Sequence, residues 1–528
     1  QYTVQYLVYY MSTLQTANGT DYGYLELHNV DKTAYFPIYG SSAQGSFNIG
    51  DAGAGLVNAP EIFYFAGQLQ DGGLARVRLN QMEDYNWKGG KFDLLFFDPT
   101  CVADEVNLPL DHYFGYTEVA SFRSAWDDKN ATFAAIHGGQ NNVAHGNLDS
   151  GTFVLDMEGY RWAVDLGSDD YNLPGYFSMD GPNSQRWNYY RCRGEGQNTV
   201  VIDPGQGADQ VYNAFTTIET FETKDRGGFA VVDMTPALAN AAKEAKRGMK
   251  LDNNRRRVVL QDEISLQSGT HDLWWFMHTQ SEIEIANDGK SAILTKGGQH
   301  LYVGLECSDD SAVFTAMDAV PLPGSSTQEG QNTNSGTRKL AINLPKAKGD
   351  VTISVTFLPY IPGTPVENAE MVPISEWQIP DGELAQPPRA TSIALDGVQL
   401  EDFEPGLTTY SITLPNESEL PVISAEADGS EVEITQVEDW GETAYVKVTD
   451  AQDADNYTYY SINIKQLPKL DSGELGIVKV TASDEPQPEN NKDNALDGDF
   501  NTRWSADGNG VWLQLDLGEV KDVEALGV

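Results

Sequence analysis

The stretch that most constrains this chain is HGNLDSGTFVLDMEGYRWAVDLGSDDY, residues 145–171. Two short apolar-rich runs, 152–157 and 160–164, flank Glu158-Gly159, the pattern of a β-hairpin closed by a two-residue turn. A hairpin fixes which residues share its ends. His145 opens the segment in a Gly/Asn-rich loop, Asp149 follows four residues later, Asp165 sits where the second run ends, and Tyr171 lies beyond. An imidazole, two carboxylates and a phenol thus come to one rim of a sheet, where loops on a rigid scaffold carry chemistry. The same residues also suit a plainer role, with both aspartates capping turns and His145 hydrogen-bonding locally. The stretch alone does not choose between the two.

Charge narrows the function classes. The 528 residues hold 34 Lys and Arg against 78 Asp and Glu, a net charge of −44. A nucleic-acid binder needs a basic face to displace counterions, and adsorption to anionic lipid needs the same; this chain offers neither. Such a charge fits a soluble, self-repelling secreted protein. Cys101, Cys192 and Cys307 are odd in number and widely spaced, which argues against a disulfide framework or a cysteine zinc site. No apolar run reaches the about 18 residues of a membrane span. Gln1 opens directly into a helical pattern and Val528 follows an apparent strand, so the chain reads as a fragment cut at both ends.

The fold class expected is multidomain α+β. Residues 1–110 read as helical, with apolar periodicity at 2–15 and further helices at 60–67 and 74–81. Residues 47–51, Phe-Asn-Ile-Gly-Asp between glycines, read as a helix–helix connection. Residues 111–360 change to short strands punctuated by turns, the texture of a large antiparallel β-sandwich. One helix is expected inside it, from the Thr235 cap and Pro236 through 237–246. Residues 361–388 are Pro-rich and read as a linker. Residues 389–466 suggest a small immunoglobulin-like or cadherin-like β-sandwich, and a last β unit fills 474–528.

Arg186, Arg191 and Arg193 fall within eight residues of an otherwise acidic chain. Guanidinium forks recognise carboxylates and sulfates, though these could equally pair with Asp169, Asp170 and Glu195. Tyr171, Tyr176, Tyr189 and Tyr190 supply phenols that either exchange protons or pack at a sugar cleft. His271 and His278 flank a Trp-Trp-Phe strand and read as core residues, and His137 as a loop hydrogen-bonder.

The run HGNLDSGTF, WAVDLGSDDY, YYR and EGQNTVVIDP resembles the β-sandwich module of heparinase II/III-like polysaccharide lyases. FRSAWDD at 122–128, VVDMT at 231–235, QDEI at 261–264, WWFMHT at 274–279 and ISVTFLP follow in the family's order. The resemblance covers roughly residues 1–360, with 1–110 as the C-terminal part of an α/α toroid. It implies β-elimination on a uronic-acid-containing polysaccharide such as a glycosaminoglycan, by a secreted or cell-surface bacterial protein. His145 matches the family's catalytic histidine, and Tyr176 or else Tyr171 its cleft tyrosine. Tyr2 and Tyr6 are weaker candidates for a toroid tyrosine, and Arg186, Arg191, Arg193 and Tyr189 for substrate binding. Where some members hold zinc, this chain has Asn147, Asp165 and Gln197, which argues against zinc and leaves a hydrogen-bonded core or a hard cation.

Residues 477–518, with NALDGDFNTRW and WLQLDLG, resemble the opening of a discoidin (F5/8 type C) carbohydrate-binding domain, an incomplete jelly roll in which Asp497, Asp499 and Thr502 match a calcium loop. A glycan-binding protein without catalysis and a uronate C5-epimerase remain open alternatives.

Overall fold

The computed structural model describes residues 2–55, 57–400, 403–415, 418–453, 456–466, 479–483, 490–495, 502–506 and 511–518. The first layer is helical: Tyr2–Asn18, Tyr35–Tyr39, Glu61–Leu69, Gly72–Asp84 and Lys91–Phe96. Asp71 caps the fourth of these through the N–H groups of Gly73 and Leu74. Ile38, Ile62, Phe65, Leu74 and Phe96 form its core. Among the described residues no helix is long and apolar enough to cross a membrane.

The β-sandwich that follows sets a nine-stranded antiparallel sheet, running from Glu282–Ile285 at one edge to Gly139–Gln140 at the other, against a five-stranded and a four-stranded sheet. One contiguous core joins all three. The hairpin expected from the sequence is Phe153–Met157 paired with Tyr160–Ala163. Glu158 and Gly159 turn it with φ of 49° and 78°, the two left-handed residues of a type I′ turn.

Alternation along the five-stranded sheet explains how the helical layer is attached. Ala120, Phe122, Ala134 and Ile136 point into the sandwich core. Their neighbours Val119, Phe133, Ala135 and Val154 point the other way and pack on Phe47 and Ile49. Residues 47–51 are therefore the segment that lies on the sandwich, not a mere helix–helix connection.

Two sequence expectations are corrected here. The helix over 237–246 is one turn, Thr235–Leu238, followed by the strand Ala242–Asp252. That strand pairs along its length with Arg257–Leu266 and buries Ala245, Arg247, Met249 and Leu251 at period two; pairing on both sides overrides helix propensity. The supposed linker at 361–388 is a strap. Ile374, Trp377 and Ile379 are buried against Phe229, Val231 and Val259 on the outer face of the large sheet. Gly248 makes room for it: a Cβ there would lie 2.6 Å from the Trp377 ring.

Residues 389–466 form a smaller two-sheet unit around Ile393, Ile423, Val446, Tyr460 and Ile462. Its larger sheet contains one parallel pair, Thr409–Leu414 with Tyr457–Gln466. Beyond it, Lys479–Ala482 pairs with Leu513–Asp516. Trp377→Ala should cost about 3–5 kcal/mol of stability, as for large buried aromatics, measured by urea denaturation. A loss below about 1 kcal/mol would mean that the strap only rests on the sheet.

Candidate functional site

The site is built on the seam between the helical layer and the sandwich. His145 occupies a left-handed backbone conformation, φ 66°. Its carbonyl accepts from the Asp51 N–H at 3.0 Å. Gly50, φ +61°, is required at that approach because a Cβ would run into the same carbonyl. The backbone contact brings two side chains together: His145 Nδ1 lies 3.1 Å from Asp51 Oδ2, with the imidazole side chain 55% exposed and the carboxylate 2% exposed.

Asp51 is the hub. Its Oδ1 accepts from Arg186 Nη2 at 2.8 Å and from the Tyr176 hydroxyl at 2.7 Å. Arg186 is itself fully buried, and donates to the Gly146 carbonyl, the Tyr176 carbonyl and Asn147 Oδ1. Its guanidinium lies 4.5 Å from the Tyr176 ring centroid. On the solvent side, the Tyr171 hydroxyl is 3.3 Å from His145 Nδ1. Tyr171 and Phe177 are both exposed, and both rings pack on the imidazole. The opening thus presents one imidazole, one phenol and one bare aromatic face.

The residues singled out from the sequence separate into two groups. His145 and Tyr171 sit together at the opening. Tyr176 is buried behind them; its hydroxyl donates to Asp51 and accepts from the Asp169 N–H at 3.0 Å. Burial pushes its phenol far above the usual range, and its hydroxyl is occupied by Asp51 and the Asp169 N–H. Arg186 and Arg193 are likewise engaged inside the protein, the first by Asp51, the second by Glu195 and Asp209. Tyr189 is buried, donating to the Pro174 carbonyl. Tyr2 and Tyr6 stack on each other on the exposed face of the first helix. Of these three arginines, Arg191 alone stays partly open, held by Asn334 Oδ1 and the Ser168 carbonyl. His278 is sealed between Tyr190 and Asn198. Asp51 belongs to the 47–51 segment, for which the sequence favours a helix–helix connection over a site; the signal for a site was a Gly-Asp pair without helical periodicity.

Asn147, Asp165 and Gln197 do not suit zinc. Asn147 Oδ1 is used by Arg186, leaving its Nδ2 unpartnered, and an amide N–H₂ cannot ligate a cation. Gln197 donates to the Arg191 carbonyl and leaves Oε1 unpartnered. Asp165 Oδ1 accepts from Asn48 Nδ2 and the Gly167 N–H, with Oδ2 unpartnered. Burial, helped by the nearby Asp149 charge, pushes Asp165 up to about 8. Asn48 again comes from the seam segment. In the terminal unit, Asp497 and Asp499 lie outside the described residues, and Thr502 Oγ1 is 3.4 Å from the Asn494 carbonyl.

Residues 114–351 match the family model "Heparinase II/III-like, C-terminal". Residues 479–528 match the F5/8 type C domain. Among solved structures, a heparan sulfate lyase HepC mutant from Pedobacter heparinus aligns at 12% identity and a TM-score of 0.50 over 87% of this chain and 57% of its own. Heparinase III aligns at 12% identity and a TM-score of 0.50 over 88% of this chain and 59% of its own. At these identities the likeness is one of fold, and the chain spans less than two thirds of either structure's length. No curated protein matches the sequence.

Within the sandwich, Asp165 makes a pH-dependent contribution with a definite sign. Its folded value lies above the ordinary carboxylate value of about 4, so the folded state binds the extra proton and stability falls as pH rises from about 4 through about 8. Asp165→Asn should flatten the melting temperature across that window and raise it at the alkaline end. Parallel curves for the two proteins would refute the assignment.

Proposed function

We propose that this chain acts in β-elimination on a uronic-acid-containing polysaccharide outside the cell. The observation that carries the reading is the half-exposed imidazole of His145, clamped by a buried carboxylate and standing beside an exposed phenol in a heparinase-like sandwich. A carboxylate paired with Arg186 only accepts, so the Asp51 contact favours the tautomer with its proton on Nδ1, toward which the Tyr171 hydroxyl would then act as acceptor, and that tautomer offers the lone pair of Nε2 to a substrate. Nε2 takes the C5 proton of the uronate. The C5–H electrons form the C4–C5 double bond, and the C4–O bond breaks. The Tyr171 hydroxyl, whose partial burial raises it above the ordinary phenol range, keeps its proton at neutral pH and delivers it to the departing O4. Phe177 offers an apolar face for the sugar ring. The terminal stretch similar to F5/8 type C domains would add carbohydrate contact.

The test follows the ultraviolet absorbance of the unsaturated product, using heparan sulfate, alginate and other uronans. His145→Ala should abolish product while glycan binding persists, and Tyr171→Phe should lower kcat by about 10²–10⁴, the usual worth of a positioned acid or base. Binding with no unsaturated product from any uronan would replace the lyase with a glycan-binding protein. Inverted C5 without chain cleavage would replace it with an epimerase.

A further inference from the structure

A second opening on the same seam is unassigned. A cavity of about 380 Å³ lies between the hairpin, the segment carrying Gln44 and Ala54, and the end of the strand Ser291–Lys296. Arg161, Arg191 and Lys296 line it, with Gln280 beside them. Arg161 is neutralised by Asp156 at 2.7 Å. The other two are not. Among the described residues neither Arg191 nor Lys296 makes an ion pair. Lys296 Nζ has only the Arg161 carbonyl and Gln280 Oε1, both at 3.4 Å, and Arg191 donates to a carbonyl and an amide oxygen. Acids outnumber bases more than two to one in this chain, so two adjoining cations without a carboxylate partner are against the odds.

Burial lowers both Lys296 and Arg191 from their usual ranges, outweighing the fields of Asp156 on the lysine and of Asp169 and Asp165 on the arginine, as expected for cations stripped of water without a paired carboxylate in contact. Asp165 also lines the cavity, with its Oδ1 taken by Asn48 Nδ2 and the Gly167 N–H; with Arg161 matched by Asp156, the two unpaired cations still outnumber it. The other cavity, about 430 Å³, differs: carboxylates outnumber cations two to one in its lining.

We propose that the Arg191–Lys296 cavity is a subsite for the anionic group, carboxylate or sulfate ester, of an acidic sugar unit. The proposal rests on the glycan reading above and extends it: the segment that carries Asp51 to His145 also supplies Gln44 and Ala54 to this cavity, so a polymer laid along the seam meets both. Lys296 gives a charge-assisted hydrogen bond, and Arg191 adds the field of a fixed fork.

The experiment measures thermal shift and calorimetric binding of the full 528-residue chain with sodium sulfate and sodium glucuronate, each against sodium chloride at matched ionic strength. Saturable binding of either anion, weakened about tenfold by Lys296→Gln, is expected from the loss of one charge-assisted bond. Sulfate alone would mark a sulfated glycan, and glucuronate alone a uronate carboxylate. Arg191→Lys keeps the charge, and should bind more weakly than wild type but better than Lys296→Gln. Shifts no larger than chloride gives, or unchanged binding in a folded Lys296→Gln variant, overturn the subsite. No turnover is required, so a protein without lyase activity could still show the subsite. Conversely, a working lyase whose KM is unmoved by Lys296→Gln would lose the subsite and keep the reaction.

Discussion

The Asp51 carboxylate is the interaction on which the site depends. One oxygen takes the Arg186 guanidinium and the Tyr176 phenol; the other takes the imidazole of His145. Burying a carboxylate and a guanidinium is costly, and the arrangement holds because every contact is a hydrogen bond at good distance. Removing one partner of such a pair typically costs about 3–5 kcal/mol, because the other is left buried and uncompensated. The same carboxylate does two jobs: it fastens the helical layer to the sandwich and fixes the orientation of the one exposed imidazole at the opening.

Other arginines repeat the device along the seam. Arg123 lies 3.6 Å from the Trp126 ring centroid and donates to the carbonyls of Ile38, Tyr39 and Ser41. Burial lowers it to about 9. Arg161 binds Asp156 bidentately and reaches the carbonyls of Gly45 and Ser46. In each case a planar fork satisfies carbonyls that would otherwise be buried without donors. Arg247 works in the same way inside the sandwich, tying Asp262 to the carbonyls of Gly151 and Asn198. Much of the limited positive charge of an acidic chain is thus spent internally, which makes the two unpaired cations of the second cavity stand out.

Legibility from sequence followed the range of the interaction. The hairpin was readable because alternation and a Glu-Gly turn are local. His145 and Tyr171 were readable because they flank that hairpin. Asp51 was not, since it meets His145 across 94 positions and only the packing of Phe47 and Ile49 brings it there. The arginine cluster shows the same limit: its charge is visible in sequence, but not that Asp51, Glu195 and Asp209 consume two of its three members. Residues 237–246 misled because their composition favours a helix, while strands on both sides impose the sheet. The strap at 361–388 misled because prolines signal irregular backbone without saying whether Trp377 is buried.

The central claim is that Asp51 sets which nitrogen of His145 faces the opening. Nitrogen-15 NMR of histidine-labelled protein reads this directly, with the His145 signals assigned by their loss in His145→Gln. The account predicts that the neutral form of the ring carries its proton on Nδ1, with a free lone pair on Nε2. A neutral ring carrying its proton on Nε2 would contradict it.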